Sequence, residues 1–154
     1  MAKTRKLSNL PNAPAWIAYR TTSDQSVTSA TWTKFEANTE SLDTASAFDS
    51  STNYRYTATT AGYYQINGAV YVGAASSLTG VGAKLYKNGS AAIAGTFCAP
   101  ISAALLGCAT ISALVYLNGT TDYIELWGYG IGTTVVFKAG ADLSHFSGTM
   151  VRPA

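Results

Sequence analysis

The run Ala61–Gly73, AGYYQINGAVYVG, constrains the fold more than any other stretch, because its side chains alternate in kind. In extended backbone, successive side chains point to opposite faces. Tyr64, Ile66, Gly68, Val70 and Val72 then share one face, aliphatic enough for a sandwich core. Tyr63, Gln65, Asn67, Ala69 and Tyr71 share the other, which mixes tyrosines with amides. Tyrosine has an apolar body and a polar tip, so it suits a surface dry at one end of the ring and wet at the other. Protein–protein interfaces are surfaces of that kind. A central strand with some exposed aromatics is the plainer reading of the same pattern.

Shorter alternating runs flank this one. Ala15–Thr22, Thr31–Ala37 and Tyr54–Thr59 read as strands before it. Asn38–Ser41 reads as a turn leading into a long connection. After it, residues 74–80 read as a loop and Val81–Tyr86 as a strand. The Lys87-Asn88-Gly89-Ser90 turn then leads to a return strand, Ala91–Phe97, since Asn-Gly adopts positive φ readily. Pro100–Leu106 reads as a loop or short strand, and Cys108–Leu117 as a long buried strand. Asn118-Gly119 is a second hairpin turn, into Asp122–Tyr129. Residues 130–142 carry a loop or edge strand, and Leu143–Val151 is the last strand. About ten short strands with turn signals between them, and no helical periodicity, predict an all-β sandwich or jelly roll.

The length, 154 residues, suits one domain with a real core. Residues 1–14 read as an extended N-terminal arm, because Pro11 and Pro14 block a helix, and residues 15–154 as the folded domain. Charged residues make up only 12%, about half the usual share, which protects a small monomer poorly against association. An oligomer or larger assembly is therefore expected. Lys3, Arg5 and Lys6 gather the basic charge in the arm, where Leu7 and Leu10 are the apolar anchors. The rest of the chain is near neutral, so no nucleic-acid partner is expected. Phe97–Leu117 is uncharged, but Pro100, Gly107 and several hydroxyl residues interrupt it and basic flanks are absent, so no membrane partner is expected. The basic start is not followed by an apolar run, and the chain reads as a complete, unsecreted small gene product. In that setting Cys98 and Cys108 are expected to be reduced, packed thiols.

No set of residues points to catalysis. His145 is the only histidine, and triads and zinc sites need a histidine with partners; in Ser-His-Phe-Ser it reads as a packing or interface residue. The carboxylates are scattered. Asp43 and Asp49 share a loop that offers calcium few ligands. Gly80-Val81-Gly82-Ala83-Lys84 lacks the spacing and the helix of a phosphate loop. No catalytic residue, metal or cofactor is expected.

Several pieces fall in one order: Phe48-Asp49; Tyr54-Arg55-Tyr56; Ala61-Gly62-Tyr63-Tyr64-Gln65-Ile66; Lys84-Leu85-Tyr86-Lys87-Asn88-Gly89; Asp122-Tyr123-Ile124-Glu125-Leu126; Phe146-Ser147-Gly148. This set resembles the globular domain of the complement component-one-q and tumour-necrosis-factor superfamily, with Ile66 where that family has Phe and Ile124 where it has Val. The resemblance spans Ala15 to Val151. It implies a ten-stranded jelly roll that assembles into a homotrimer, with an inner sheet facing the threefold axis. Tyr63, Gln65, Asn67, Tyr71, His145 and Ser147 would then form the trimer interface. The Thr- and Ala-rich texture resembles versions found in phage virion proteins. That likeness implies a structural protein that decorates a capsid, on the virion surface, with the major capsid protein as partner and Lys3, Arg5, Lys6, Leu7 and Leu10 as the contact. The other implied role is the receptor- or glycan-binding knob of a tail or head fibre, acting through loops such as Ser23–Ala30 and Ala74–Gly80.

Overall fold

A computed structural model of the chain describes residues 13–99 and 104–154. Among these residues there are twelve strands and no helix: β1 (Ala15–Tyr19), β2 (Gln25–Ser26), β3 (Thr33–Lys34), β4 (Thr39–Asp43), β5 (Phe48–Asp49), β6 (Arg55–Thr57), β7 (Ala61–Lys87), β8 (Ala91–Cys98), β9 (Ala104–Asn118), β10 (Tyr123–Thr133), β11 (Val136–Phe137) and β12 (His145–Pro153).

The alternation predicted at Ala61–Gly73 holds: Tyr64, Ile66, Val70 and Val72 are fully buried. The loop expected at residues 74–80 does not separate two strands. β7 runs through it, with its pairing to β9 skipping from Gly73 to Leu78 and with Ser77 at φ 54°. This kink carries the chain from one sheet to the other. Residues 61–73 lie between β12 and β9 in the first sheet, whose order is β4-β1-β12-β7-β9. Residues 80–87 lie between β10 and β8 in the second sheet, which β6, β5 and β3 extend beyond β10.

Two other readings are corrected. Thr31–Ala37 is a strand only at Thr33–Lys34, because the buried Gln25 side chain takes over the backbone there. Its Nε2 donates to the Lys34 carbonyl at 2.8 Å, and its Oε1 accepts from the Glu36 amide at 3.0 Å. The turn expected at Asn38–Ser41 is instead the start of β4, whose Leu42 pairs with Ile17 of β1. Of the arm expected at residues 1–14, residues 1–12 lie outside the described residues. Pro14 is buried, and its carbonyl accepts a bond from the Met150 amide at 2.9 Å.

The space between the sheets is filled by aliphatic side chains and a cluster of rings. Trp16 stacks on Tyr56 with centroids 3.7 Å apart and planes 5° from parallel, and Phe146 meets it edge-on at 5.9 Å. The other face of the indole lies on Gly148, where a Cβ would come within 2.1 Å of the ring.

Both predicted hairpin turns form, with Asn88 and Gly89 at φ 57° and 71° and Gly119 at φ 75°. One carboxylate ties them together. Asp122 accepts from Asn88 Nδ2 at 2.8 Å and from the Asn118 amide at 3.0 Å, and pairs with Lys87 Nζ at 2.7 Å. Burial alone would push this carboxyl up, but the bonds from Asn88, Lys87 and Asn118 outweigh burial and hold it below the usual carboxylate range.

Two stability predictions follow from this packing. Gly148→Ala forces a methyl into the Trp16 ring and should cost toward the upper end of the ~1–3 kcal/mol typical of overpacking. A denaturant melt beside a Ser147→Ala control reads it. Asp122→Asn should cost about 1–3 kcal/mol at pH 7. Because the folded carboxyl is the more acidic, its contribution is present above about pH 4 and is lost as pH falls through the folded value. The gap between wild type and variant in urea melts should therefore close in acid.

Candidate self-association face

The first sheet turns its other side outward, and each strand contributes every second residue. Cross-strand pairing sets these residues in rows. Tyr19, His145, Ala69 and Thr110 form one row; Leu42, Ile17, Ser147, Asn67 and Ser112 form the next. Ala15, Thr149, Gln65 and Leu114 form a third, and Arg152, Tyr63 and Tyr116 close the face. Tyr63, Gln65, Asn67, Tyr71, His145 and Ser147, the six residues named from sequence, thus stand on one surface. Tyr63 and Asn67 are exposed, and the other four are half-buried. Lys3, Arg5, Lys6, Leu7 and Leu10 lie outside the described residues.

Two properties set this face apart from an ordinary wet one. From the Tyr19 row to the Gln65 row, β1, β12, β7 and β9 present no side chain that is charged at pH 7 with histidine neutral. The face also holds large apolar groups in water: Ile17 is 41% exposed, Leu42 42%, Tyr63 41%, Leu114 59% and Tyr116 43%. They fall in two groups, Ile17 with Leu42 on β1 and β4 and Tyr63 with Leu114 and Tyr116 on β7 and β9, with Ser147, Asn67 and Gln65 between them. Apolar groups gathered on one face mark an interaction site more than scattered single residues do. Three of the face's polar side chains are bonded in a chain. Gln65 Nε2 donates to Ser112 Oγ at 2.8 Å, and Ser112 Oγ donates to Asn67 Oδ1 at 2.9 Å. Tyr63 packs on Tyr116 with ring centroids 5.4 Å apart. A partner laid here would meet Gln65, Ser112 and Asn67 already paired.

Ile17, Leu42, Leu114 and Tyr116 were not singled out in the sequence. Residues 108–117 read there as a buried strand because nearly all are apolar or small. The structure buries Ala109, Ile111, Val115 and Leu117 and turns Cys108, Thr110, Ser112, Leu114 and Tyr116 outward. The placement of Ser112 and Thr110 on that parity was the available signal. The same alternation corrects the thiols: Cys108 and Cys98 are free, but both are exposed and not packed. They align with different stretches of β7, Cys108 opposite Tyr71 and Cys98 opposite Val81.

The two loop aspartates have structural work. Asp43 accepts from the amides of Ala45, Ala47 and Phe48 at 3.0, 2.6 and 2.7 Å. Asp49 accepts from the amides of Ser51 and Thr52 at 3.1 and 2.9 Å and from Asn53 Nδ2 at 2.6 Å. The Thr52 bond leads the set that holds the Asp49 carboxyl well below the usual range. Among the described residues no group of three or more His, Cys, Asp or Glu side chains is placed to hold a metal ion.

Comparison with solved structures decides the fold. The chain is similar to the Eiger TNF of S. frugiperda at TM-score 0.72 and 10% identity, covering 93% of this chain and 95% of that one. It is similar to murine APRIL at TM-score 0.67 and 8% identity, covering 90% and 99%. It is similar to the globular domain of zebrafish complement 1qA at TM-score 0.63 and 14% identity, covering 92% and 99%. The chain has the tumour-necrosis-factor and complement-one-q jelly-roll fold. No family model matches the sequence, and no curated protein does. At these identities the likeness establishes the jelly roll, and function has to be argued from its surfaces.

Proposed function

We propose that this jelly roll is a structural virion protein, a homotrimer that decorates and stabilises a phage capsid. The observation that carries the trimer is the outward face of the first sheet, charged only at its Arg152 margin on β1, β12, β7 and β9, with Ile17, Leu42, Leu114 and Tyr116 in water. Burying each such side chain is worth about 1.5–3 kcal/mol before the costs of association. The family resemblance supplies the threefold symmetry. A face that meets a different surface on its neighbour closes into a ring when the rotation permits.

The capsid role rests on the sequence: the likeness to phage virion proteins, the low charge, and an arm with three basic residues and two leucines. Three arms on one trimer would bind with avidity, so each needs only a modest affinity.

Sedimentation at micromolar concentration should give three times the 16.1 kDa chain mass. Leu114→Asp, which places a charge in the middle of the face, should give a folded single subunit. A stable wild-type monomer defeats the trimer. Deleting residues 2–12, which spares the buried Pro14, should leave a trimer that no longer binds the parent capsid. Full decoration by the truncated protein would show that the arm is not the contact. A trimer that binds host cells and leaves capsids bare favours a fibre knob instead.

A further inference from the structure

The second sheet has an outward face of its own, across the sandwich from the first. Along β10, Ile124, Leu126 and Gly128 turn into the core, while Glu125, Trp127 and Tyr129 turn out. On β7, Lys84 and Tyr86 turn out between buried Ala83 and Leu85. The rings on this face meet. Trp32 and Tyr129 have centroids 4.9 Å apart, Phe97 and Tyr129 5.7 Å, and Tyr86 and Trp127 5.1 Å. Gly82 makes room for them, since a Cβ there would stand 2.7 Å from the Trp32 ring. Phe97 is 55% exposed, and the other rings are half-buried. They form a platform that is fixed from below and wet above.

Two lysines on this platform differ. Lys34 is spent: its Nζ lies 2.8 Å from Glu125 Oε1 and also donates to the Asn53 carbonyl at 3.1 Å. Glu125, only 3% exposed, accepts from Trp127 Nε1 at 3.2 Å through its other oxygen, and so locks that indole in place. Lys84 Nζ stands 4.1 Å over the Trp32 ring and has no ion-pair or hydrogen-bond partner among the described residues. An ammonium carries three donors, and here all three are unspent amid the rings.

We infer that this face binds an acidic oligosaccharide, with sugar rings laid on Trp32, Tyr129 and Phe97 and a carboxylate held by Lys84. A pyranose presents a flat C–H face that matches an aromatic ring, and hydroxyls that need water at the rim; half-wet rings supply both. A lone ammonium among rings is complementary to one acidic group. Single-stranded nucleic acid also stacks on aromatics, but it needs cations spaced along its phosphates. Here Lys34 is neutralised by Glu125, and Arg55 lies over Tyr123, four residues along β10 from Trp127, the cross-strand partner of Lys84. Among the described residues Lys84 is therefore the one unpaired cation beside Trp32, and no row of cations runs along the rings. The inference uses the second sheet alone and stands whether or not the first sheet trimerises.

The test is an array of acidic and neutral oligosaccharides probed with the labelled full-length chain, with oligo(dT) on the same slide. The best binder is then titrated against tryptophan fluorescence. Acidic glycans should bind, and their neutral counterparts should bind about tenfold more weakly or worse. Trp32→Ala and Lys84→Gln should each weaken the acidic glycan by about tenfold without moving the melting temperature, and Lys84→Arg should restore part of the loss. If Trp32→Ala fails to fold, the two Lys84 variants decide. An array with no bound glycan, equal binding of neutral glycans, binding indifferent to Lys84, or tighter binding of oligo(dT) each overturns the inference.

Discussion

The sandwich depends on one strand belonging to both of its sheets. β7 is interior in the first sheet over residues 61–73 and interior in the second over residues 80–87. The kink between them is set by a pairing skip and one left-handed serine. Every side chain on the inner side of β7 must therefore fit against partners from the opposite sheet. The glycines show how tight that fit is. A Cβ at Gly68 would stand 2.7 Å from Leu126, and one at Gly128 would stand 2.6 Å from Phe137. At these points the sheets leave no space between them, and each turns an outward face to water.

Those faces are built differently. The first carries no charged side chain on β1, β12, β7 and β9 from the Tyr19 row to the Gln65 row, with Arg152 at its margin, and its Gln65, Ser112 and Asn67 are bonded to one another. That suits a partner offering large, flat, apolar contact. The second mixes stacked rings with ions, one pair spent and one ammonium unspent. A large dry interface would have to desolvate Lys84 without compensation, which is costly. The two surfaces therefore suit different occupants, and filling one leaves the other open.

Much of this was legible in the sequence, wherever a period of two met a strong turn. The parity of Tyr64, Ile66, Val70 and Val72 gave the buried face of β7, and Asn88-Gly89 and Asn118-Gly119 gave both hairpins. The ordered motifs pointed to the fold. The failures share a physical cause. β4 pairs at the sheet edge although Asn38–Ser41 reads as polar turn residues, because the β1 backbone supplies the ladder there. Thr31–Ala37 loses most of its strand to the side chain of Gln25, a contact between residues about ten apart that no alternation encodes. On the outward face, Leu114 and Tyr116 were hidden by their own hydrophobicity. A strand that is apolar on both sides looks buried on both sides, and only position in the sheet tells which side meets water.

β9 sets a final constraint. Among the described residues its backbone pairs with β7 alone, which leaves its other side an edge. Proteins normally blunt such edges with lysine, proline or bulges. No charged residue occurs between Lys87 and Asp122, so neither β8 nor β9 carries that protection. β8 approaches β9 closely enough for Thr96 Oγ1 to donate to the Thr110 carbonyl at 2.6 Å, yet the two strands belong to different sheets. The unpaired amides and carbonyls of such an edge need hydrogen-bonding partners, which apolar side chains such as Ile17, Leu42 and Leu114 do not offer, so the edge and the outward face are separate surfaces with separate demands.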